Sequence, residues 1–176
     1  MVLTAVLATV LAVVLALRDI QKIIATDLNN RAIECAQDNV DHLGLKTQIE
    51  IRKTNLFPEG KATLIVCNPP WLPARPSSSL EHAVYDLESQ MLKGFLSKLK
   101  HHLLPDGEGW LILSDLAEHL GLRTREELLS WIAAADLTVV TRLDTKPHHP
   151  KAFDKTDALH IARAKETTSL WRLASK

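Results

Sequence analysis

The sequence predicts a single α/β domain, in which a mostly parallel sheet carries helices on both faces. Short apolar runs alternate with amphipathic helical segments along the chain, an order that produces parallel sheets. A chain of 176 residues is long enough to bury the core of one such domain, residues 1–176. Three apolar runs end on polar side chains, at Asp27, Asn55 and Asn68. Because ligands of parallel sheets bind beyond the carboxyl ends of the strands, we expect the site there.

Local patterns predict the individual elements. Apolar or alternating runs predict strands at 22–26, 47–54, 62–67, 110–114, 137–143 and 167–173. Apolar positions at helical spacing predict helices from Asn29 or Asn30 to Gly44, from Leu80 to Leu103, and at 124–135 and 156–165. Pro105 and Gly107 are expected to end the long helix that begins at Leu80.

The atypical part of the chain is residues 1–21, whose apolar stretch 2–17 has only Thr4 and Thr9 as polar side chains. A secretion signal or a membrane anchor is one interpretation. Against it, no Lys or Arg precedes the stretch, and the stretch is shorter than the roughly 20 residues that cross a bilayer. We therefore expect a buried strand followed by a buried helix.

Charge and cysteine content narrow the function classes. The 21 Lys and Arg balance the 21 Asp and Glu, so no global field attracts nucleic acid or an anionic membrane. Cys35 and Cys67 are too few for a disulfide framework and lie in apolar surroundings, which indicates reduced thiols and a cytoplasmic protein. The histidine pairs at 101–102 and 148–149 have no partner at metal-ligand spacing, so we predict no metal. Neither a GxxxxGK[ST] phosphate loop nor a GxSxG nucleophile turn is present.

The segment ATLIVCNPPW, residues 62–71, ends a buried strand in an unusual way. Two consecutive prolines stop regular pairing and leave a stiff, extended corner. The strand must therefore finish at Asn68, with a polar amide on the corner and the large flat ring of Trp71 after it. This combination predicts a chemical role rather than a simple turn.

Two stretches together carry a family resemblance: IIATDLNNRAIECAQDNV at 23–40 and LIVCNPPW at 64–71. They resemble the class I S-adenosylmethionine (SAM)-dependent methyltransferases. More narrowly, the chain is similar to the "methyltransferase small" group with an NPPY, NPPF or NPPW signature, which includes release-factor glutamine methyltransferases and ribosomal-RNA guanine methyltransferases. The resemblance runs from about Ile23 to the carboxyl terminus. It implies a Rossmann-like fold with a last antiparallel strand, SAM as cofactor, and methyl transfer to an exocyclic amine of an RNA or DNA base or to a protein glutamine amide.

The resemblance implies three cofactor contacts besides Asn68. Asp27 would accept hydrogen bonds from the ribose hydroxyls, although an acid at this place could instead cap the next helix. Leu28 would pack on the adenine. Asn55 takes the position where the family usually has an Asp that holds the adenine amino group, and an Asn oxygen can accept the same bond. Asn55 could equally serve to shape the turn before Pro58.

The resemblance places the chemistry on the NPPW corner. The side-chain oxygen of Asn68 and the carbonyl of Pro69 would accept the two N–H bonds of the target nitrogen and aim its lone pair at the sulfonium methyl. Pro70 completes the rigid corner. Trp71 would stack on the planar target group, and the alternative is a tryptophan that belongs to the core.

One departure from the family concerns the first strand, which normally ends in a glycine-rich turn that lies against SAM. This chain has no glycine before Gly44, and Ala5, Ala8 and Thr9 stand where glycines are expected. The departure keeps a second hypothesis open, a methyltransferase-like binding module with impaired catalysis.

One basic stretch, residues 142–165, gives an indication of the substrate class. Its basic side chains are Arg142, Lys146, Lys151, Lys155, Arg163 and Lys165, with His148, His149 and His160 among them. Because it follows a strand whose carboxyl end should face the substrate, it favours phosphate contacts and a nucleic-acid acceptor. The alternative is an ordinary solvated loop.

Overall fold

A seven-stranded sheet forms the centre of the protein. The computed structural model describes residues 2–5, 8–18, 20–72, 86–147, 156 and 159–176. The strands are Val2–Ala5 (β1), Ile23–Asp27 (β2), Ile49–Lys53 (β3), Ala62–Asn68 (β4), Leu103–Ser114 (β5), Leu137–Thr145 (β6) and Thr168–Ser175 (β7). Their order in the sheet is β3-β2-β1-β4-β5-β7-β6. The last strand, β7, pairs antiparallel with β5 and β6, and the other described strand pairs are parallel, so the predicted mostly parallel sheet with a last antiparallel strand is confirmed.

Helices cover both faces of this sheet, as predicted. They are Ala8–Ala16 (α1), Asn30–His42 (α2), Gln90–His102 (α3), Leu116–His119 (α4), Arg125–Ala134 (α5) and His160–Lys165 (α6). Successive side chains of a strand point to opposite faces. In β4, Ile65 and Cys67 therefore pack in the cluster that contains Phe95 of α3, while Val66 packs in the other cluster with Ala12 of α1 and Val40 of α2.

Side chains fix the ends of two helices. The side-chain oxygen of Asn29 accepts hydrogen bonds from the N–H groups of Arg31 and Ala32, so Asn29 rather than Asn30 is the N-cap of α2. Thr124 and Glu127 form a reciprocal capping box at the start of α5. Gly44 follows α2 with a φ of +68°, a left-handed conformation that ends the helix at low steric cost.

The predicted helix from Leu80 to Leu103 is wrong over residues 86–89, which are not α-helical. Leu80 lies outside the described residues, and α3 begins only at Gln90, after a 3-10 turn at Leu87–Ser89. The carboxylate of Asp86 accepts the N–H groups of Met91 and Leu92, which fixes this later start. The apolar spacing continues upstream, but spacing alone does not reveal where a cap interrupts it.

The carboxyl end of this helix lies within one residue of the prediction, at His102, but the next strand, β5, begins at Leu103 rather than at residue 110. Pro105 and Gly107 come just after the helix, as expected, but they lie in an irregular part of this strand. Pairing with β4 shifts there, from Ala62 opposite Leu103 to Leu64 opposite Glu108. Pro105 is tolerated because the residues between these pairs leave the regular ladder, where a missing N–H costs little.

The apolar amino-terminal stretch forms the expected strand and helix, β1 and α1. Ala12 of α1 is fully buried, but Val10, Val14 and Leu17 are exposed, so the helix is buried on one side only. No helix in the described part of the chain is long and apolar enough to span a membrane.

Candidate functional site

The sequence-predicted site residues meet at the carboxyl edge of β1, β2 and β4. The central strand β1 places Ala5 opposite Asn68 of β4 and Thr4 opposite Thr26 of β2. Asp27 and Asn68 therefore lie at the same edge of the sheet, two strands apart, a separation of roughly 10 Å from the usual strand spacing. The gap between them lies beyond the end of β1, where residues 6 and 7 are outside the described part of the chain.

The carboxylate of Asp27 is directed to this edge without serving as the cap of α2. Its Oδ1 accepts the N–H of Asn29 at 2.8 Å, and Asn29 itself caps the helix. In the described part of the chain Oδ2 has no hydrogen-bond partner. Leu28, the next residue, is 57% exposed. A carboxylate oxygen and an apolar side chain thus lie side by side at the surface, an arrangement that fits a ribose hydroxyl and an adenine ring.

Asn55 is brought next to Asp27 by the main chain. The N–H of Thr54 donates to the carbonyl of Asp27 at 3.1 Å. The carbonyl of Asn55 accepts the N–H of Phe57 at 2.8 Å, which makes a tight turn, and Leu56 follows with a φ of +64°. The Asn55 side chain is exposed, so the turn uses its main chain and leaves its amide available.

The NPPW corner is more firmly held. Pro69 and Pro70 are buried, whereas Asn68 and Trp71 are half-buried. The indole Nε1 of Trp71 donates a hydrogen bond to Oδ1 of Asn68 at 2.9 Å. The Trp71 ring also packs against the core cluster that contains Phe95. Trp71 is therefore partly a core residue and partly exposed at the edge, between the two alternatives that the sequence left open.

A second contact ties the corner to α3. Leu72 is buried, and its carbonyl accepts the N–H of Asp86 at 2.7 Å. The Asp86 carboxylate in turn caps α3 through the N–H groups of Met91 and Leu92. Burial raises the pKa of the Asp86 carboxyl above its ordinary value of 3.8, and the donated N–H bonds offset this only in part.

Sequence reasoning missed a buried polar cluster at the carboxyl end of β5. Ser114 Oγ donates to Glu166 Oε1 at 2.5 Å, and Arg123 Nη2 lies 3.4 Å from the carbonyl of Ser114. Arg123 is only 3% exposed, and this burial lowers the pKa of its guanidinium. Asp115 Oδ1 accepts the N–H of Thr167 at 2.6 Å. Glu166 and Thr167 are distant in the chain from Ser114 and Asp115, so no local motif could indicate their contacts.

The described members of the basic stretch mostly make internal contacts. Arg142 lies over the ring of Trp171 and pairs with Asp144. The Nζ of Lys146 donates to the carbonyls of Lys165 and Glu166. Four further members of the stretch lie outside the described residues: His148, His149, Lys151 and Lys155.

One of the two histidine pairs, His101 and His102, lies in the described part of the chain. His102 stacks on Phe57, and its Nδ1 lies 3.1 Å from the carbonyl of Gly60. Within the described ranges, no group of three or more His, Cys, Asp or Glu could hold a metal ion.

Comparison with known proteins finds one matching family model and several similar solved structures. Residues 6–119 match the family model described as "RMKL-like, methyltransferase domain". No curated protein sequence matches the chain. Three solved structures each match 99% of the length of this chain. They are ribosomal protein L11 methylase from Lactobacillus delbrueckii subsp. bulgaricus (16% identity, TM-score 0.65) and the m1A22 tRNA methyltransferase TrmK from B. subtilis (10% identity, TM-score 0.62). The third is geranyl diphosphate C-methyltransferase from Streptomyces coelicolor A3(2) (13% identity, TM-score 0.67). The matches cover 68%, 59% and 73% of those chains, respectively.

Proposed function

The chain belongs to the RMKL-like methyltransferase domain family, and from this premise we propose that it transfers a methyl group from SAM to a planar nitrogen. The class I methyltransferase fold expected from the sequence is confirmed by the family match and by the solved structures. The observation that carries the proposal is the position of Asn68. It ends β4 at the same edge as Asp27, with β1 between them, so an amide oxygen faces the place where a cofactor bound at Asp27 would extend.

Three side chains besides Asn68 would hold SAM. The free carboxylate oxygen of Asp27 would accept the ribose hydroxyls, exposed Leu28 would cover the adenine, and Asn55 would accept the adenine amino group. Two local contacts support this assignment. Asn29, and not Asp27, caps α2, and the turn at Asn55 is made by main-chain atoms rather than by the side-chain amide. When bound, SAM supplies an electrophilic methyl on its sulfonium sulfur.

The acceptor chemistry would be performed by Asn68 and Pro69. The lone pair of an amide or exocyclic amine nitrogen is delocalised, which makes that nitrogen a poor nucleophile. Two accepted N–H bonds, one at Asn68 Oδ1 and one at the Pro69 carbonyl, favour a tetrahedral nitrogen with its lone pair directed at the methyl. Asn68 Oδ1 has two lone pairs, and Trp71 uses only one. Alignment then lowers the barrier without a dedicated base. As the bond from nitrogen to the methyl carbon forms, the bond from that carbon to sulfur would break with its electron pair left on sulfur, and the nitrogen would release its proton to solvent.

The acceptor class is an exocyclic amine of a nucleic-acid base or a protein glutamine amide, and we favour nucleic acid. The basic stretch at 142–165 supports this preference. One of the similar solved structures is named for tRNA and another for a ribosomal protein. We therefore test both nucleic-acid and protein acceptors.

A second candidate function is a methyltransferase-like binding module. One observation favours it, the absence of any glycine before Gly44. A Cβ at the turn after β1 would narrow the space where SAM lies against the main chain. This candidate would bind RNA or protein without SAM.

A transfer assay with methyl-labelled SAM distinguishes the two. RNA, DNA and release-factor peptides serve as acceptors for the wild type, Asn68→Ala and the matched control Asn39→Ala on the exposed surface of α2. We expect transfer by the wild type and the control, and loss of transfer in Asn68→Ala at an unchanged melting temperature. Equal transfer by Asn68→Ala would contradict the proposed chemistry. Acceptor binding without transfer by the wild type would favour the binding module.

A further inference from the structure

The hydrogen bond inside the NPPW corner links the two side chains that the proposed reaction needs most. We propose that Trp71 is a positioning residue, whose indole N–H holds the side-chain amide of Asn68 in the one orientation that can accept an N–H from the substrate. The functional part of this inference rests on the proposed role of Asn68.

An asparagine at this edge needs such control. The oxygen and the NH2 group of an amide have almost the same shape, so a rotation of 180° exchanges an acceptor for a donor. A flipped Asn68 would present N–H to the N–H of the acceptor and would repel it. Because Asn68 is only half-buried, the core does not decide between the two orientations.

The indole of Trp71 can decide between them. Its Nε1 is a donor only, and it lies 2.9 Å from Oδ1 of Asn68. In the flipped orientation two donors would meet at this distance. The bond therefore selects one orientation and leaves the second lone pair of Oδ1 for the substrate.

Three kinds of contact hold Trp71 itself in place. Its ring packs against the core cluster, and its neighbours Pro70 and Leu72 are buried. The carbonyl of Leu72 accepts the N–H of Asp86, which caps α3. The donor thus has a fixed position relative to the end of β4, as a positioning group requires.

A second tryptophan provides a matched control. Nε1 of Trp110 donates to Glu108 Oε2 at 2.8 Å within β5. A carboxylate has two equivalent oxygens, so this bond selects no orientation. Trp110 lies against the other core cluster, away from the NPPW corner.

The orientation is measured by NMR on protein labelled with ¹⁵N in tryptophan and asparagine side chains. In Asn68→Ala, we expect the Trp71 indole signal to shift and its hydrogen exchange to become about tenfold faster, because the acceptor is lost. In Trp71→Phe, the Asn68 NH2 signals should shift or broaden, since both orientations become populated. Trp110→Phe should leave the Asn68 signals unchanged. Identical Asn68 signals in Trp71→Phe and in the wild type would overturn the proposal.

Kinetics on the acceptor found by the transfer assay separate positioning from stacking. Trp71→Phe keeps a ring and loses only the donor, so we expect kcat to fall about tenfold with the acceptor KM unchanged. Trp71→Leu loses the ring as well, and its KM should also rise. A wild-type kcat in Trp71→Phe would overturn the positioning role.

The two proposals fail separately. If the wild type neither binds SAM nor transfers a methyl group, the proposed function fails. The NMR comparison still decides the orientation of Asn68 in that case.

Discussion

The two halves of the candidate site are built differently. On the acceptor side, Pro69, Pro70 and Leu72 are buried, and hydrogen bonds from Trp71 and Asp86 fix the corner. On the cofactor side, two of the three side chains are exposed and the third is half-buried. Asp27 is half-buried, and Leu28 and Asn55 are exposed, as described above.

This difference agrees with what the proposed function requires of each half. Orientation of the acceptor nitrogen requires atoms held within a fraction of an ångström, so its groups belong on a rigid support. A cofactor contributes its own apolar surface, so side chains that bind it can remain exposed until it arrives. We therefore expect changes on the acceptor side to alter the rate, and changes on the cofactor side to alter SAM affinity.

The largest effect should come from Asn68→Ala on the acceptor side. Loss of one preorganised polar group that acts on the reacting centre lowers kcat by about 100-fold or more. SAM affinity should change much less, because the ribose and adenine contacts remain. Transfer kinetics and calorimetry on the same preparation check this pair of values. If SAM affinity fell as much as the rate, the two halves of the site would not have the separate effects that we expect.

Asp27→Asn should produce the second largest effect, on the cofactor side. The substitution keeps an oxygen for the N–H of Asn29 and removes the charge that strengthens hydrogen bonds to the ribose, so we expect SAM to bind about tenfold more weakly. The matched control is Asp38→Asn, an exposed aspartate of α2. Titration calorimetry measures both variants. Equal affinities for Asp27→Asn and the wild type would remove Asp27 from the site.

Leu28→Ala should have a smaller effect of the same kind. A leucine that becomes covered by the adenine gains about 1 kcal/mol or somewhat more, so its loss should weaken SAM binding several-fold. Leu43→Ala is a close control, since Leu28 is 57% exposed and Leu43 is 56% exposed. Neither variant should lose much stability. Equal SAM affinities for the two variants would show that Leu28 does not meet the cofactor.

The smallest effect concerns stability at the anchor of the acceptor side. Burial raises the pKa of Asp86 above 3.8, so the folded protein holds this proton more tightly than the unfolded chain. Ionisation of Asp86 therefore costs stability as the pH rises from the ordinary aspartate pKa through the raised one. Asp86→Asn removes this titration, and its free energy of unfolding relative to the wild type should rise over that interval and then level off.

Urea denaturation between about pH 3.5 and about pH 7 measures this change. Asp136→Asn serves as a control of opposite sign. The hydrogen bond from Lys100 lowers the pKa of Asp136, so its contribution is present at higher pH and is lost as the pH falls through the lowered pKa. The same pH dependence in both variants would contradict the burial of Asp86.

The end of β4 could be predicted from the sequence, and the cap of α2 could be narrowed to Asn29 or Asn30, because local chemistry decides both. Two prolines fix the end of β4 at Asn68, and Asn29 caps α2 with its own side chain. The start of α3 could not be predicted, since it depends on a carboxylate at Asp86 whose role is visible only in three dimensions. The hydrogen bond between Trp71 and Asn68 could not be predicted either. Both side chains were predicted as site residues, but no pattern indicates that one would orient the other.

Calorimetric titration of the purified protein with SAM, alongside its thermal denaturation, tests the central claim most directly. A ligand that binds only the folded state stabilises it by about 2.7 kcal/mol at a concentration 100 times its Kd. We predict binding in the micromolar range with a matching rise in Tm. No binding and no rise in Tm at millimolar SAM would contradict it, because the edge between Asp27 and Asn68 would then not be a cofactor site.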